Sequence, residues 1–133
     1  MPKLIEELKK EHTVIVETLN RIKKLGISSA EGKNTLLAAK NILLAHLKKE
    51  DEQLYPFLNK VAKNNDNLAR ILEIFAKDID IISKTALDFF DKYSTSYSGI
   101  EFAKSFGNLF ATLSQRISKE EKIIYKKYDE LKR

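Results

Sequence analysis

The chain has 133 residues, a formal net charge of +5, no cysteine and two histidines. This length predicts a single domain that comprises residues 1–133. The lack of cysteine excludes a disulfide scaffold, a thiolate zinc site and a cysteine nucleophile. The two histidines are therefore the only soft metal ligands that the sequence offers.

Charge and hydropathy patterns make a membrane or nucleic-acid partner unexpected. No stretch reaches the roughly 18 apolar residues that span a bilayer, and the charged start of the chain does not resemble a secretory signal. We therefore expect a cytoplasmic protein. Basic and acidic residues are interleaved along most of the chain, and only residues 119–133 are locally basic. The lysines there complement the negative end of a helix dipole. We expect no nucleic-acid partner.

Apolar spacing predicts two helices in the first half of the chain. The first runs from Lys3 to Leu25, and Gly26 is expected to end it as a left-handed cap. A Ser-x-x-Glu capping box at residues 28–31 predicts the start of the second helix. This helix continues to residue 62 or 63, and we expect it to bend at Pro56.

Two further helices are predicted in the second half. The polar run at residues 63–66 is a turn with an N-cap for the third helix, which ends near Tyr93. A loop at residues 94–98 follows, and a capping box at residues 98–101 opens the fourth helix. Four amphipathic helices with short connections predict an all-α fold, an up-down-up-down antiparallel four-helix bundle.

An internal repeat links the second and fourth helices. Residues 46–55 resemble residues 116–125, seventy positions later, and six of the ten columns keep their character. The matched pairs include Glu50 with Glu120, and two tyrosines in the last column. The second and fourth helices are therefore predicted to be duplicates.

Polar residues interrupt the apolar helix faces and are candidates for a functional site. The interrupting residues are His12, His46, Glu50 and Glu120. Burying an unpaired imidazole or carboxylate costs several kcal/mol, so these groups must pair with each other, with water or with a metal. Counting residues from the helix turns brings His12 and His46 to nearly the same level of the bundle. The same count brings Asp78 near Arg116.

These residues resemble the hemerythrin-like HHE cation-binding family, whose four helices hold a non-haem di-iron centre. In that family the first helix carries a histidine, and the second carries His-x-x-x-Glu followed by an aliphatic residue, an aromatic residue and a proline. Here His12 matches the first histidine, and His46 and Glu50 match the second motif. Residues 54–56, which read Leu-Tyr-Pro, complete that match.

The second half departs from the family pattern, which has a histidine on the third helix and another His-x-x-x-Glu on the fourth. Glu120 is kept, but Arg116 stands where the histidine belongs. The third helix has no histidine, and Asp78 or Asp80 is the nearest candidate for its place.

The resemblance implies non-haem iron, one or two ions, and binding or sensing of oxygen, nitric oxide or iron. The candidate ligands are His12, His46, Glu50, Glu120 and Asp78. In one interpretation a half-site of His12, His46, Glu50 and Glu120 holds one metal or an asymmetric pair, and Arg116 replaces the charge of a lost ion. In the other the protein is metal-free, Arg116 is the hub of a buried salt-bridge network, and the bundle is an interaction module for an unknown protein partner.

The sequence shows no catalytic motif outside the candidate metal ligands. No nucleophile with a base and no phosphate-binding loop is present, so an enzyme is not the first expectation, and a di-iron oxidase or repair activity would have to use the candidate metal ligands. The apolar excess of the helices is compatible with a homodimer.

Tyr55 and Tyr125 are expected to pack at the end of the bundle with their hydroxyls in water, or else to donate to a metal-bound ligand.

Overall fold

The computed structural model describes residues 2–26, 29–95 and 99–132, and these residues form four long helices with no strand. Helix α1 spans Lys3–Leu25 and helix α3 spans Asp66–Thr95. Helix α2 (residues 30–62) and helix α4 (residues 99–132) each contain a short π-helical segment between two α-helical parts. The parts of α2 are Ala30–Lys49, Glu50–Leu54 and Tyr55–Ala62, and those of α4 are Gly99–Lys119, Glu120–Tyr125 and Lys126–Lys132.

The four helices form a closed bundle. Each helix packs against the next one in the chain, and α4 also contacts α1. The predicted all-α, hemerythrin-like bundle is confirmed. Within the described ranges, no helix is both long and apolar enough to cross a membrane.

The helix ends follow local chemistry. Gly26 ends α1 with a φ of 67°, a value that favours glycine, and donates its N–H to the carbonyl of Ile22. The side chain of Ser29 caps α2 by accepting from the Gly32 N–H at 3.0 Å. Asn65 accepts from the Leu68 N–H at 3.1 Å, so the predicted cap of α3 is present.

Some predicted boundaries differ from the structure or fall outside it. The predicted cap Ser28 and the predicted cap Ser98 both lie outside the described residues. Helix α3 extends to Thr95, two residues beyond the predicted end, and α2 ends at Ala62 as predicted. These shifts of one or two residues do not change the bundle.

Two apolar clusters fill the bundle, and the buried charged residues lie between them. On α1, His12 separates Leu8 of one cluster from Ile15 of the other. On α4, Arg116 lies between Leu113 and Ile124 in the same way. The polar groups therefore occupy the middle of the core, where each of them needs a partner.

Both π-helical segments begin at a glutamate of the internal repeat. In α2 the segment starts at Glu50, and the N–H of Tyr55 bonds the carbonyl of Glu50, five residues back. It lies directly before Pro56, which has no N–H to donate. In α4 the segment starts at Glu120, although Lys126 stands where α2 has its proline. A proline is therefore not required for the π turn, and such turns are frequent at functional sites.

Candidate metal centre

Four side chains from three helices meet in the middle of the bundle. They are His12 of α1, His46 and Glu50 of α2, and Glu120 of α4. One ligand atom from each lies within 4.8 Å of those of the other three, and all four residues are buried. The rings of His12 and His46 are 4.6 Å apart, centroid to centroid. The structure thus brings the two histidines to one level, as the residue count predicts.

Each histidine is held by a carboxylate on its outer nitrogen. The Nδ1 of His12 lies 2.8 Å from Glu121 Oε2, and the Nδ1 of His46 lies 2.8 Å from Glu11 Oε1. With Nδ1–H donating to a carboxylate, the Nε2 atom of each ring faces the cluster. Metal-ligating histidines are commonly oriented by a carboxylate in this way.

Glu11 and Glu121 were not among the residues predicted from the sequence. Each directly adjoins a predicted ligand, so adjacency is the one signal that could have found them. Partial burial would raise the pKa of Glu11, but hydrogen bonds from Lys49 and His46 hold this pKa below its ordinary value. Lys49 Nζ also contacts Glu7, at 2.8 Å. Glu11 therefore stays ionised and can hold the His46 ring.

The Nε2 atom of His46 is the least satisfied polar atom of the cluster. Among the described residues, none forms a hydrogen bond with it, and the nearest carboxylate oxygen is Glu50 Oε1 at 3.4 Å. Burial lowers the pKa of His46, despite its hydrogen bond with Glu11. The imidazole is therefore neutral, with a lone pair that points into the cluster and has no donor. A metal cation satisfies such a lone pair.

The two tyrosines of the repeat donate across the site to each other's glutamates. Tyr125 Oη lies 2.7 Å from Glu50 Oε2, and Tyr55 Oη lies 2.8 Å from Glu120 Oε2. Burial and the nearby carboxylates raise the pKa of Tyr55 and of Tyr125 far above the ordinary range, so both hydroxyls keep their protons. The expectation that these hydroxyls reach water is wrong, and the alternative of a donor beside a candidate ligand is correct.

The π turns explain why the tyrosines face inward. In a regular α-helix, residues five apart are separated by about 140° around the axis. A π turn joins residues five apart by a hydrogen bond and brings them to nearly the same side. The Tyr55 N–H bonds the Glu50 carbonyl in this way, and Glu120 and Tyr125 are the first and last residues of the second π-helical segment.

Arg116 takes the place that the repeat assigns to a second histidine. Its guanidinium is buried and lies 4.4 Å from the centre of the Phe75 ring. It donates to the Phe75 carbonyl at 3.1 Å and to Tyr55 Oη at 3.2 Å. Its Nη2 is 3.6 Å from Glu120 Oε2, which makes an ion pair of two buried side chains.

Asp78 is placed apart from the four clustered residues. It lines a groove that Arg116 also reaches, and its side chain is half-buried. In the described part of the chain, no ion pair joins Asp78 to Arg116, and Asp80 is exposed. Helix α3 contributes the Phe75 carbonyl to the guanidinium rather than a carboxylate.

The two central glutamates have opposite electrostatic environments. Burial and the negative charge of Glu120 raise the pKa of Glu50 to about 10. Burial alone would also raise the pKa of Glu120. Hydrogen bonds with His12 and Glu50, and the positive charge of Arg116, instead lower this pKa to about 2. One glutamate is therefore neutral at pH 7, and the other is a carboxylate balanced by the guanidinium.

A small cavity adjoins the cluster. Its volume is about 20 Å³, which is enough for roughly one water molecule. His46, Glu50 and Arg116 line it together with apolar side chains such as Ile15 and Leu43. Two imidazoles and two carboxylates suit iron, manganese or zinc. The residues therefore fit one transition-metal ion, while the fixed charge of Arg116 disfavours a second.

Comparison with known proteins identifies a family for this chain. The family model described as the hemerythrin HHE cation binding domain matches residues 3–128. No curated protein and no solved structure matches the chain. The matched residues include every member of the buried cluster.

Proposed function

The chain belongs to the hemerythrin HHE cation-binding domain family, and we propose that its buried cluster binds one non-haem iron ion. The proposed ligands are His12, His46, Glu50 and Glu120. The observation that carries the proposal is the Nε2 atom of His46, which has no hydrogen-bond donor among the described residues. A carboxylate on the opposite nitrogen orients this lone pair toward the cluster.

The contact between His12 and Glu120 also supports a cation at this place. His12 Nε2 and Glu120 Oε1 are 3.1 Å apart. Unless a proton lies between these two atoms, the lone pair of the nitrogen faces a lone pair of the oxygen, and the two repel each other. A metal cation takes the place of such a proton, because both atoms are then ligands of one charge. His12 Nε2 and Glu120 Oε1 are therefore placed to share either a proton or a metal ion.

Arg116 limits the proposed site to a single ion. Its guanidinium pairs with Glu120 and lies where the repeat would place another histidine. A second ion would face this permanent cation at short range in a buried environment, where charge repulsion is poorly screened. Asp78 lies outside the proposed ligand set, because its side chain lies in the surface groove described above.

The cavity beside the cluster supports binding of a small diatomic molecule such as oxygen or nitric oxide. Bound iron supplies a redox-active centre that takes such molecules as ligands. Glu11 and Glu121 hold the imidazoles, and apolar side chains such as Ile15 exclude bulk water. Sensing would act through a protein partner. The cytoplasmic location and the homodimer stay predictions from the sequence.

A second candidate function is a metal-free interaction module. The observation that favours it is the Arg116 network, in which the guanidinium has Phe75, Tyr55 and Glu120 as partners. In this case the buried charges stabilise the bundle, and the outer faces of the helices bind another protein.

Metal analysis distinguishes these functions. Protein stripped with a chelator is incubated anaerobically with ferrous iron, desalted and analysed for bound metal. We expect the wild type to retain one ion per chain and Glu50→Gln to bind at least about tenfold more weakly. The matched control is Glu52→Gln, since Glu52 lies in the same π turn but is exposed, and it should bind like the wild type.

Two results would contradict the metal proposal. If the wild type retains no transition metal, the metal-free module is supported instead. If Glu50→Gln binds iron as tightly as Glu52→Gln does, the buried cluster is not the site. Far-UV circular dichroism of each variant checks that the helices are intact.

A further inference from the structure

The hydroxyl of Tyr125 lies among the proposed ligand atoms. Tyr125 Oη is 2.7 Å from Glu50 Oε2, 3.0 Å from Glu120 Oε1 and 3.1 Å from His12 Nε2. A hydroxyl has one proton to donate, so it satisfies only one of these three acceptors at a time. The side chain is only 1% exposed, which holds the oxygen in this position.

These distances match the spacing of ligands around a single ion. Two ligands that bind one ion at right angles, each at about 2.1 Å, stand about 3.0 Å apart. Tyr125 Oη has this spacing from three of the four proposed ligands. An oxygen at the position of the ion itself would instead lie about 2.1 Å from each ligand atom. Tyr125 Oη therefore lies beside that position, in the place of a further ligand.

The equivalent tyrosine of the repeat lacks this arrangement. Tyr55 Oη contacts one proposed ligand, Glu120, at 2.8 Å, and its other partner is the Arg116 guanidinium at 3.2 Å. A cation beside a phenol oxygen disfavours a second cation on the same oxygen. The repeat thus provides two tyrosines in matched π turns, of which only Tyr125 stands among the ligands.

We propose that Tyr125 is a fifth ligand of the iron site and binds ferric iron through its phenolate oxygen. This inference rests on the proposed function. On binding, the O–H bonds of Tyr125 and of the protonated Glu50 both break, the two protons leave to water, and the freed oxygens form bonds to the ion. The phenolate and the two carboxylates together supply three negative charges, which matches Fe³⁺ rather than Fe²⁺. Tyr125 therefore favours the oxidised state of the iron.

Optical spectroscopy of the iron-loaded protein tests the role of Tyr125. Stripped protein is loaded anaerobically with ferrous iron, oxidised with ferricyanide, which accepts one electron per iron, and desalted. Ferric phenolates absorb visible light through charge transfer, and excitation of that band enhances the ring vibrations of the bound tyrosine in the Raman spectrum. We expect this band in the wild type and in Tyr55→Phe, and its loss in Tyr125→Phe.

Metal analysis separates this inference from the proposed function. Tyr125→Phe should still retain one ion per chain, because the four other ligands are unchanged. Wild-type protein that binds one iron without a phenolate band would overturn the role of Tyr125 and leave the proposed function intact. Persistence of the band in Tyr125→Phe would also overturn it, and wild-type protein that binds no iron would overturn both.

A second measurement covers the case in which Tyr125→Phe does not fold. Wild type and Tyr55→Phe are then produced with ring-deuterated tyrosine. If Tyr125 is the ligand, the enhanced Raman bands shift on deuteration in both proteins. Enhanced bands that disappear in Tyr55→Phe would assign the phenolate to Tyr55 and overturn the proposal.

Discussion

Replacing Arg116 with methionine should destabilise protein that has been stripped of metal. The guanidinium is buried and pairs with the buried Glu120 at 3.6 Å. Its removal leaves that carboxylate without its cation in the middle of the core. Methionine keeps most of the side-chain length and the packing against Phe75, so the change isolates the charge and the hydrogen bonds.

The size of the effect follows from the remaining contacts of Glu120. Removing one partner of a buried ion pair costs about 3–5 kcal/mol. Glu120 keeps the hydrogen bond from Tyr55, so we expect the lower end, about 3 kcal/mol. For a chain of this length, that loss lowers the melting temperature by about 10 °C.

A double-mutant cycle in urea measures the pair directly. Glu120→Gln and Arg116→Met are each compared with the wild type and with the double variant, which buries neither charge. We expect a coupling of about 2 kcal/mol, with the double variant more stable than the sum of the single changes predicts. A coupling below about 0.5 kcal/mol would refute the reasoning that Arg116 stabilises the fold through Glu120.

Two further predictions concern Glu50 and the carboxylates behind the histidines. In stripped protein the pKa of Glu50 is about 10, above its ordinary 4.5, so the folded state holds an extra proton between these values and stability falls as pH rises. Urea unfolding between about pH 6 and pH 9 should show this loss, at most about 1.4 kcal/mol per pH unit, and Glu50→Gln should reduce the slope. An unchanged slope in Glu50→Gln would contradict the assignment. Glu11→Ala and Glu121→Ala, which release His46 and His12, should each weaken zinc binding by about 10–100-fold in a chelator competition. Zinc affinity equal to that of the wild type in both variants would show that these carboxylates do not orient the ligands.

Much of the fold could be predicted from the sequence because its signals are local. The apolar spacing and the turn residues predicted four helices, and Gly26 ends α1 where its freedom to adopt positive φ is needed. The His-x-x-x-Glu spacing placed His46 and Glu50 on one helix face, because residues four apart lie one above the other. The position of His12 required only helix lengths and an antiparallel neighbour.

The inward direction of the tyrosines could not be predicted from helical periodicity. Regular α-helical geometry turns Tyr55 and Tyr125 away from their glutamates, whereas the π turns of α2 and α4 bring them into the site. A proline marks the first π turn, but no proline marks the second. The turn therefore depends on packing between helices rather than on a residue that the sequence displays.

By itself, the sequence determined the four helices, the family resemblance and the candidate ligands His12, His46, Glu50 and Glu120. Only the tertiary structure decided which charges meet. It paired Arg116 with Glu120 and the Phe75 carbonyl, placed Asp78 apart from the cluster, and brought Glu11 and Glu121 behind the two imidazoles. The physical reason is that the signals in the sequence are local to one helix, whereas the contacts in the site join different helices. Helix periodicity specifies which side of one helix a residue occupies, while contacts between charged side chains depend on the rotation and axial offset of the packed helices, which no single segment encodes.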